Sequence, residues 1–345
     1  MVATAVELVS CLETEIEGTV SKSNEDASLQ LLTPVPEEKL KAWLAEFYGK
    51  DIRISGREVL RHRDLSYVER LRIADALPES IIYKLVLPPW DVEQDLHERV
   101  LQPSITSSAQ LFLSAHHGQL TALFLEDLGT SSLMTDATAE LASRVGEELA
   151  KLHRSYCYRT DELLQMGVLR TLFPIDYEEF AAQLVQQLTD WQLCSAEDGR
   201  SILSLVQTLA KNFAGEPTSL VHGDLYAENI MLRSDRLFFI DWSWFTILGV
   251  PLMDLATLTM NHHKNGLFAN FRNECVEAYC FEFVRDVEDV RRLLPSGEAL
   301  SRFLFLHWLM ERKQRGILGT TIGPVEKLIS SVVRELCERQ TKLNG

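Results

Sequence analysis

From Glu37 onward, Leu40, Trp43, Leu44 and Phe47 recur at helical spacing, which predicts a capped amphipathic helix packed on the domain that follows. From about Asp51 to Leu128 the period changes. The runs DIRIS, YVERLRI, SIIYKLVL, QLFLSA and LTALFLEDL are rich in β-branched and aromatic residues, and ADALPES and HHGQ break them as turns. They predict a small antiparallel sheet, with VEQDLHERVL as a single helix between the third and fourth strands. After Gly129 the pattern is mainly helical: Leu141, Val145, Leu149 and Leu152 form one stripe, and Tyr177, Phe180, Ala181, Leu184, Leu188 and Trp191 another. Three short extended runs interrupt it, SLV before His222, then NIML, then LFFI before Asp241, with RSDR as the connecting turn. Helical pattern resumes through AYCFEFV, LSRFLFLHWLM and EKLISSVVREL. The expected organisation is α+β: a mobile leader over residues 1–36, an antiparallel-sheet lobe over 37–128 and a larger, mainly helical lobe over 129–345.

A chain of 345 residues is long enough for two such lobes. With 34 Lys and Arg against 50 Asp and Glu, the formal charge is −16. That balance argues against a nucleic-acid partner, which needs clustered cations to neutralise phosphates. It is compatible with a cationic substrate and equally with acidic groups that serve solubility. Six scattered cysteines form no CxxC pair and read as reduced residues of a cytoplasmic protein. The first twenty residues lack a signal-peptide pattern, and no run is apolar enough to span a membrane.

The chemistry concentrates in VHGDLYAENIMLRSDRLFFIDWSW, Val221 to Trp244, where polar groups interrupt extended apolar runs. His222, Asp224 and Asn229 reproduce the H-x-D-x-x-x-x-N spacing of a kinase catalytic loop, and Asp241 follows the next hairpin. Phosphoryl transfer demands positioning and charge neutralisation more than covalent chemistry. In that reading Asp224 accepts the proton of a substrate hydroxyl, while Asn229 and Asp241 offer a neutral and an anionic oxygen to Mg²⁺.

VHGDLYAENIML followed by FFIDWSW resembles the aminoglycoside phosphotransferase and choline kinase family, whose fold is protein-kinase-like and two-lobed. LAKLH at Leu149 to His153 and PLMDLATL around Asp254 are similar to further motifs of that family, and sheet, helix, sheet is the order of a kinase amino-terminal lobe. The resemblance implies an ATP- and Mg²⁺-dependent transfer of the γ-phosphoryl group to a hydroxyl of a small, in one reading amino-bearing, metabolite or antibiotic. It makes Lys84 the strand lysine that contacts the α- and β-phosphates, with Glu98 as its carboxylate partner and Glu93 ranked second. It places adenine against backbone groups near Glu126 and Leu128. His222 and Asp254 are expected to hold the loop, and His153 to be a satisfied interior or capping residue.

The chain departs from the family in the loop that should cover the phosphates, because HRDLSYVERLRI contains no glycine. Ser66 and Tyr67 stand where that loop's small polar tip would be. Ser243 replaces an acidic residue often found after the metal Asp. Trp242 and Trp244 are read first as core packing and second as holders of a substrate cation. Glu282, Asp286, His307, Trp308 and Glu311 are candidate walls for the acceptor. An atypical protein kinase and an inactive nucleotide-binding protein remain alternatives, although the chain lacks G-x-G-x-x-G and A-P-E segments, has Gly223 where HRD has its Arg in the catalytic loop, and has no DFG glycine after Asp241.

Overall fold

The computed structural model describes residues 32–63, 65–101, 107–317, 319–320 and 323–344. They divide into two compact units. The first is the described part of Met1–Thr130 together with Met231–Trp244 and residues 319–320. The second is the described part of Ser131–Ile230, Phe245–Leu318 and Gly323–Gly345. The segment 231–244, read from sequence as part of the carboxyl-terminal lobe, therefore groups with the first unit. Most of the expected leader lies outside the described residues, and at its described end Leu32 and Val35 are buried.

In the first unit helix α1, Glu37–Tyr48, starts at Pro36 without a side-chain cap. Glu37 and Glu38 in its first turn complement the helix dipole instead. Leu40 and Leu44 are fully buried, each contributing about 1.5–3 kcal/mol of transfer free energy. Trp43 meets Phe124 edge-on at 6.3 Å.

The sheet beneath has strands β1 (Arg53–His62), β2 (Ser66–Ala74), β3 (Ser80–Val86), β4 (Leu111–His117) and β5 (Leu120–Glu126). They run in the order β1-β2-β3-β5-β4, with every pair antiparallel. Strand alternation assigns the faces of β3. Ile81, Tyr83 and Leu85 are fully buried, Tyr83 stacking on Phe124. Ile82 and Lys84 project to the opposite side. Lys84 pairs across the ladder with Val68 and Leu123. Between β3 and β4 lies helix α2, residues 90–100, which winds as a 3₁₀ turn, an α turn and a π turn in succession.

The second unit is mainly helical. Helix α3 (Ala139–Cys157) opens on Thr138, whose hydroxyl accepts from the Leu141 amide, and buries Val145, Leu149 and Leu152. It packs closely on a later helix, Arg272–Phe283: a Cβ at Gly146 would sit 2.2 Å from the Cys275 carbonyl oxygen. A three-stranded sheet of β6 (Arg170–Leu172), β7 (Ser219–Val221) and β10 (Ile247–Gly249) has β10 in the centre. Between β7 and β10 the chain forms the hairpin of β8 (Ile230–Arg233) and β9 (Arg236–Phe239). Its turn residues Ser234 and Asp235 both take positive φ, as tight hairpins require. Among the described residues no helix is long and apolar enough to cross a membrane.

Candidate active site

The candidate functional residues fall into two groups, one in each unit. In the first unit a pocket of about 240 Å³ lies on the Lys84 face of the sheet. Val68, Ile82, Ala109, Leu125, Met231, Phe239 and Ile240 give it apolar walls, and Lys84, Glu93, Asp241 and Arg61 form a charged part of its lining.

Lys84 Nζ lies 2.5 Å from Glu93 Oε2 and also binds Asp241 Oδ1. Burial disfavours its charge, but Asp241 and Glu93 outweigh that and raise its pKa. Burial pushes Glu93 up to about 7 against the pull of Lys84. For Asp241 burial acts in the same direction, yet Lys84 and Arg61 beside it hold the carboxyl well below the usual range. Arg61, which sequence reasoning did not single out, places Nη1 2.9 Å from Asp241 Oδ2. Asp241 itself takes a left-handed backbone, φ 64, directly after the β8–β9 hairpin, a conformation that Asp tolerates better than most residues.

The carboxylate that holds Lys84 is thus Glu93, not Glu98. Helix α2 begins at Trp90 immediately after Pro88-Pro89, so Glu93 is already on the helix and only 1% exposed. The π turn at Leu96–Val100 carries Glu98 elsewhere, where it accepts from Ser114 Oγ at 2.9 Å and Gln94 Nε2 at 3.0 Å. Ser66 is not among the residues that line the pocket. Its carbonyl accepts from the Arg63 amide, and it is Leu60 and Arg61 of β1 that reach the pocket.

The segment expected to meet adenine is braced from β2. Arg70 binds Asp127 through Nε at 2.7 Å and also reaches Glu58 and the Gly129 carbonyl. Ser80 donates to the same Asp127. The Glu126 amide donates to the Gln110 carbonyl, and the Glu126 side chain binds Arg233. Leu128 packs on Ala109 and Phe238. Of the expected backbone groups, the Glu126 amide is therefore already used.

In the second unit β7 delivers the chain into His222-Gly223-Asp224. Asp254, fully buried at the start of helix α4 (Leu252–Thr259), accepts from the His222 amide at 2.7 Å and the Gly223 amide at 2.8 Å. His153, at the end of α3, joins the same carboxylate at 3.2 Å and the Tyr279 hydroxyl at 3.0 Å. His222 Nδ1 accepts from the Asp224 amide at 3.3 Å. Gly223 has φ 80, and a Cβ there would stand 2.1 Å from the Phe245 carbonyl oxygen, so only glycine fits. Asn229 Nδ2 donates to the Asp224 carbonyl at 2.9 Å, which commits the nitrogen end of its amide.

The segment after α4 clasps this loop. Asn265 Oδ1 accepts from the Ala227 amide at 3.0 Å, and its Nδ2 donates to the Thr257 and Met260 carbonyls. Lys264 pairs with Glu228 at 3.0 Å and lies 4.9 Å from the Tyr226 ring centre. Burial works against its charge, but Asp224 and then Glu228 outweigh it and raise its pKa. Lys264 and Asn265 were not recognised in the sequence, since nothing marks HHKNG as a partner of a loop forty residues earlier.

Several candidate acceptor walls have structural partners. Glu282 binds Arg154, and Asp286 caps the helix Val287–Gln314 by accepting from the Asp289 amide. Trp308 packs on Phe245 and Phe305, with Arg312 over its ring. His307 sits edge-on to Phe180 with Glu311 3.7 Å away. Trp242 and Trp244 are buried, and Trp242 donates to the Phe239 carbonyl.

Structural relatives share this architecture. A spectinomycin phosphotransferase, solved with ADP and spectinomycin, superposes with a TM-score of 0.57 at 13% identity, over 90% of this chain and 99% of the other. An ethanolamine kinase from Plasmodium vivax gives 0.55 at 12% identity, over 88% of each chain. The macrolide 2′-phosphotransferase MphH from Brachybacterium faecium gives 0.56 at 16% identity, over 86% and 98%. At these identities the likeness establishes a kinase-like α+β fold. In sequence, the chain is 29% identical over 171 residues to protein LicA of Haemophilus influenzae, covering 49% of this chain and 45% of LicA. It thus spans about half the length of this curated relative. The sequence profile of the phosphotransferase enzyme family matches residues 101–294, more than half of the chain and all of Val221 to Trp244. The chain belongs to the phosphotransferase enzyme family.

Proposed function

We propose that the protein is an ATP-dependent kinase that phosphorylates a hydroxyl group of a small molecule. The observation that carries this reading is the loop 222–229. One fully buried carboxylate, Asp254, holds the two amides that precede Asp224, so Asp224 stands on a rigid support. A pre-positioned carboxylate of that kind suits a general base.

The residues present fit a nucleotide and its metal. Apolar walls on the Lys84 face suit a planar base, with the Leu128 backbone left to meet its edge, and Lys84 held by Glu93 suits phosphate oxygens. Each unit offers an oxygen of the kind Mg²⁺ takes: Asn229, its amide nitrogen committed to Asp224, keeps its oxygen in the second, and Asp241 has an anionic one in the first. Magnesium-bound ATP would supply the transferable γ-phosphoryl group. Asp224 would accept the proton of the acceptor hydroxyl as the new O–P bond forms and the bond from the γ-phosphorus to the bridging oxygen breaks, releasing ADP, and the raised pKa of Lys264 reflects the anionic charge of Asp224 nearby.

Several residues expected to hold an ammonium group of the acceptor are engaged elsewhere. Trp242 and Trp244 are buried, Glu282 is paired and Asp286 is a helix cap. An amino-bearing acceptor rests on the net charge of −16 and on Glu311 beside His307. The free thiols of Cys157, Cys194, Cys275, Cys280 and Cys337 are what the cytoplasm maintains.

The test is Mg²⁺-dependent ATP consumption across a panel of hydroxylated amines, sugars and antibiotics. Asp224→Asn should lower turnover on the best acceptor about a thousandfold while ADP still binds. Wild-type turnover by Asp224→Asn, or no turnover on any acceptor, would overturn the reading.

A further inference from the structure

The hairpin between β1 and β2 contains no glycine, so it lacks the residue that lets backbone amides close in on phosphates. What β1 contributes to the pocket instead is a guanidinium. Arg61 lines it beside Lys84, with 32% of its side chain exposed. It pairs with Asp241, whose other oxygen binds Lys84.

We propose that Arg61 is a direct ligand of the nucleotide phosphates, doing with a side chain what loop amides do in glycine-rich kinases, and that Asp241 holds it while no nucleotide is bound. The inference rests on the nucleotide-binding reading above. Three observations support it. Arg61 is a forked donor at a pocket whose other cation, Lys84, is already shared between two carboxylates, and such a fork matches phosphate oxygens. It is paired with a residue whose own expected role is metal binding, so that a metal would draw this partner toward itself. Without Arg61 the cluster of Lys84, Glu93 and Asp241 would present more carboxylates than cations to a polyanion.

A mere counterion of Asp241 would have the same geometry but a different thermodynamic signature. The experiment measures adenosine and ADP affinities by calorimetry, in EDTA, for the wild-type chain, Arg61→Ala, Asp241→Asn and the double variant. Arg61→Gln replaces Arg61→Ala if the melting temperature shows that alanine unfolds the strand. Loss of the guanidinium should weaken ADP about tenfold, the scale of one charge-assisted contact, in both the wild-type and the Asp241→Asn backgrounds. Adenosine affinity should not change. If the ADP effect is absent, or disappears when Asp241 is already neutral, Arg61 is only a counterion and the inference fails. Equal weakening of adenosine would also overturn it, because the effect would then be on pocket shape. A wild-type chain that binds neither compound would overturn the nucleotide-binding reading itself, and the inference with it.

Discussion

A buried ammonium between two carboxylates makes each side chain's contribution depend on the others. Lys84 neutralises Glu93, which is 1% exposed, and Asp241, which also has Arg61. Lys84→Met leaves Glu93 buried without its cation and should cost roughly 3 kcal/mol in denaturant unfolding. Adding Glu93→Leu should restore a large part of that loss, because the stranded carboxylate is removed with its partner. Adding Glu98→Leu should restore nothing, since Glu98 bonds Ser114 and Gln94 instead. Recovery through Glu98 and none through Glu93 would show that the pairing drawn here is wrong.

At the scale of elements, the approach of α3 to the helix Arg272–Phe283 depends on one missing methyl group. Gly146→Ala would drive a Cβ to 2.2 Å from the Cys275 carbonyl oxygen and 2.9 Å from the Tyr279 nitrogen, both backbone atoms that cannot rotate away. The variant should lose about 1–3 kcal/mol by thermal or denaturant unfolding. Unchanged stability would mean that the two helices separate more easily than their spacing suggests. Tyr279 in that pair holds His153, which in turn holds Asp254, so the variant also probes the support of the loop 222–229. Much of this architecture was legible beforehand where periodicity is strong. The five strands, the stripe Val145, Leu149 and Leu152 and the hairpin before Asp241 each follow a pattern of period two or 3.6. The misreading of Glu98 arose where the pattern is irregular. A helix that changes from 3₁₀ to α to π within eleven residues presents faces that constant spacing does not predict. Arg61, Lys264 and Asn265 were missed for another reason: their partners lie 180, 36 and 38 positions away, beyond any local signal.

For the whole molecule, neutral histidines set a sensitivity to acid. Burial, with Lys84 nearby, lowers His97 to about 4, and burial, with Arg170 nearby, lowers His307 to about 4. In the unfolded chain both protonate near 6.5, so from pH 6.5 down to about 4 the unfolded state binds protons that the folded state refuses. Each residue should therefore cost on the order of 1–3 kcal/mol of stability by pH 4. Glu93 acts in the opposite sense, because its raised pKa adds stability as pH falls through about 7. The clean measurement is the slope of melting temperature against pH over 4 to 6.5, which should be shallower in His307→Gln than in the wild type; equal slopes would show that His307 is not held neutral. The path of the chain has a different consequence. Met231–Trp244 groups with the first unit, whereas the residues on either side of it group with the second. That short segment brings Met231, Phe239, Ile240 and Asp241 to the pocket and Phe238 to Leu128 and Ala109. A fragment cut at Thr130 would consequently carry Lys84 and Glu93 but only part of the pocket wall. The pocket is not a transferable module: exchanging it between relatives means grafting two stretches a hundred residues apart, and recombination at the unit boundary alone would yield chimaeras with mismatched walls.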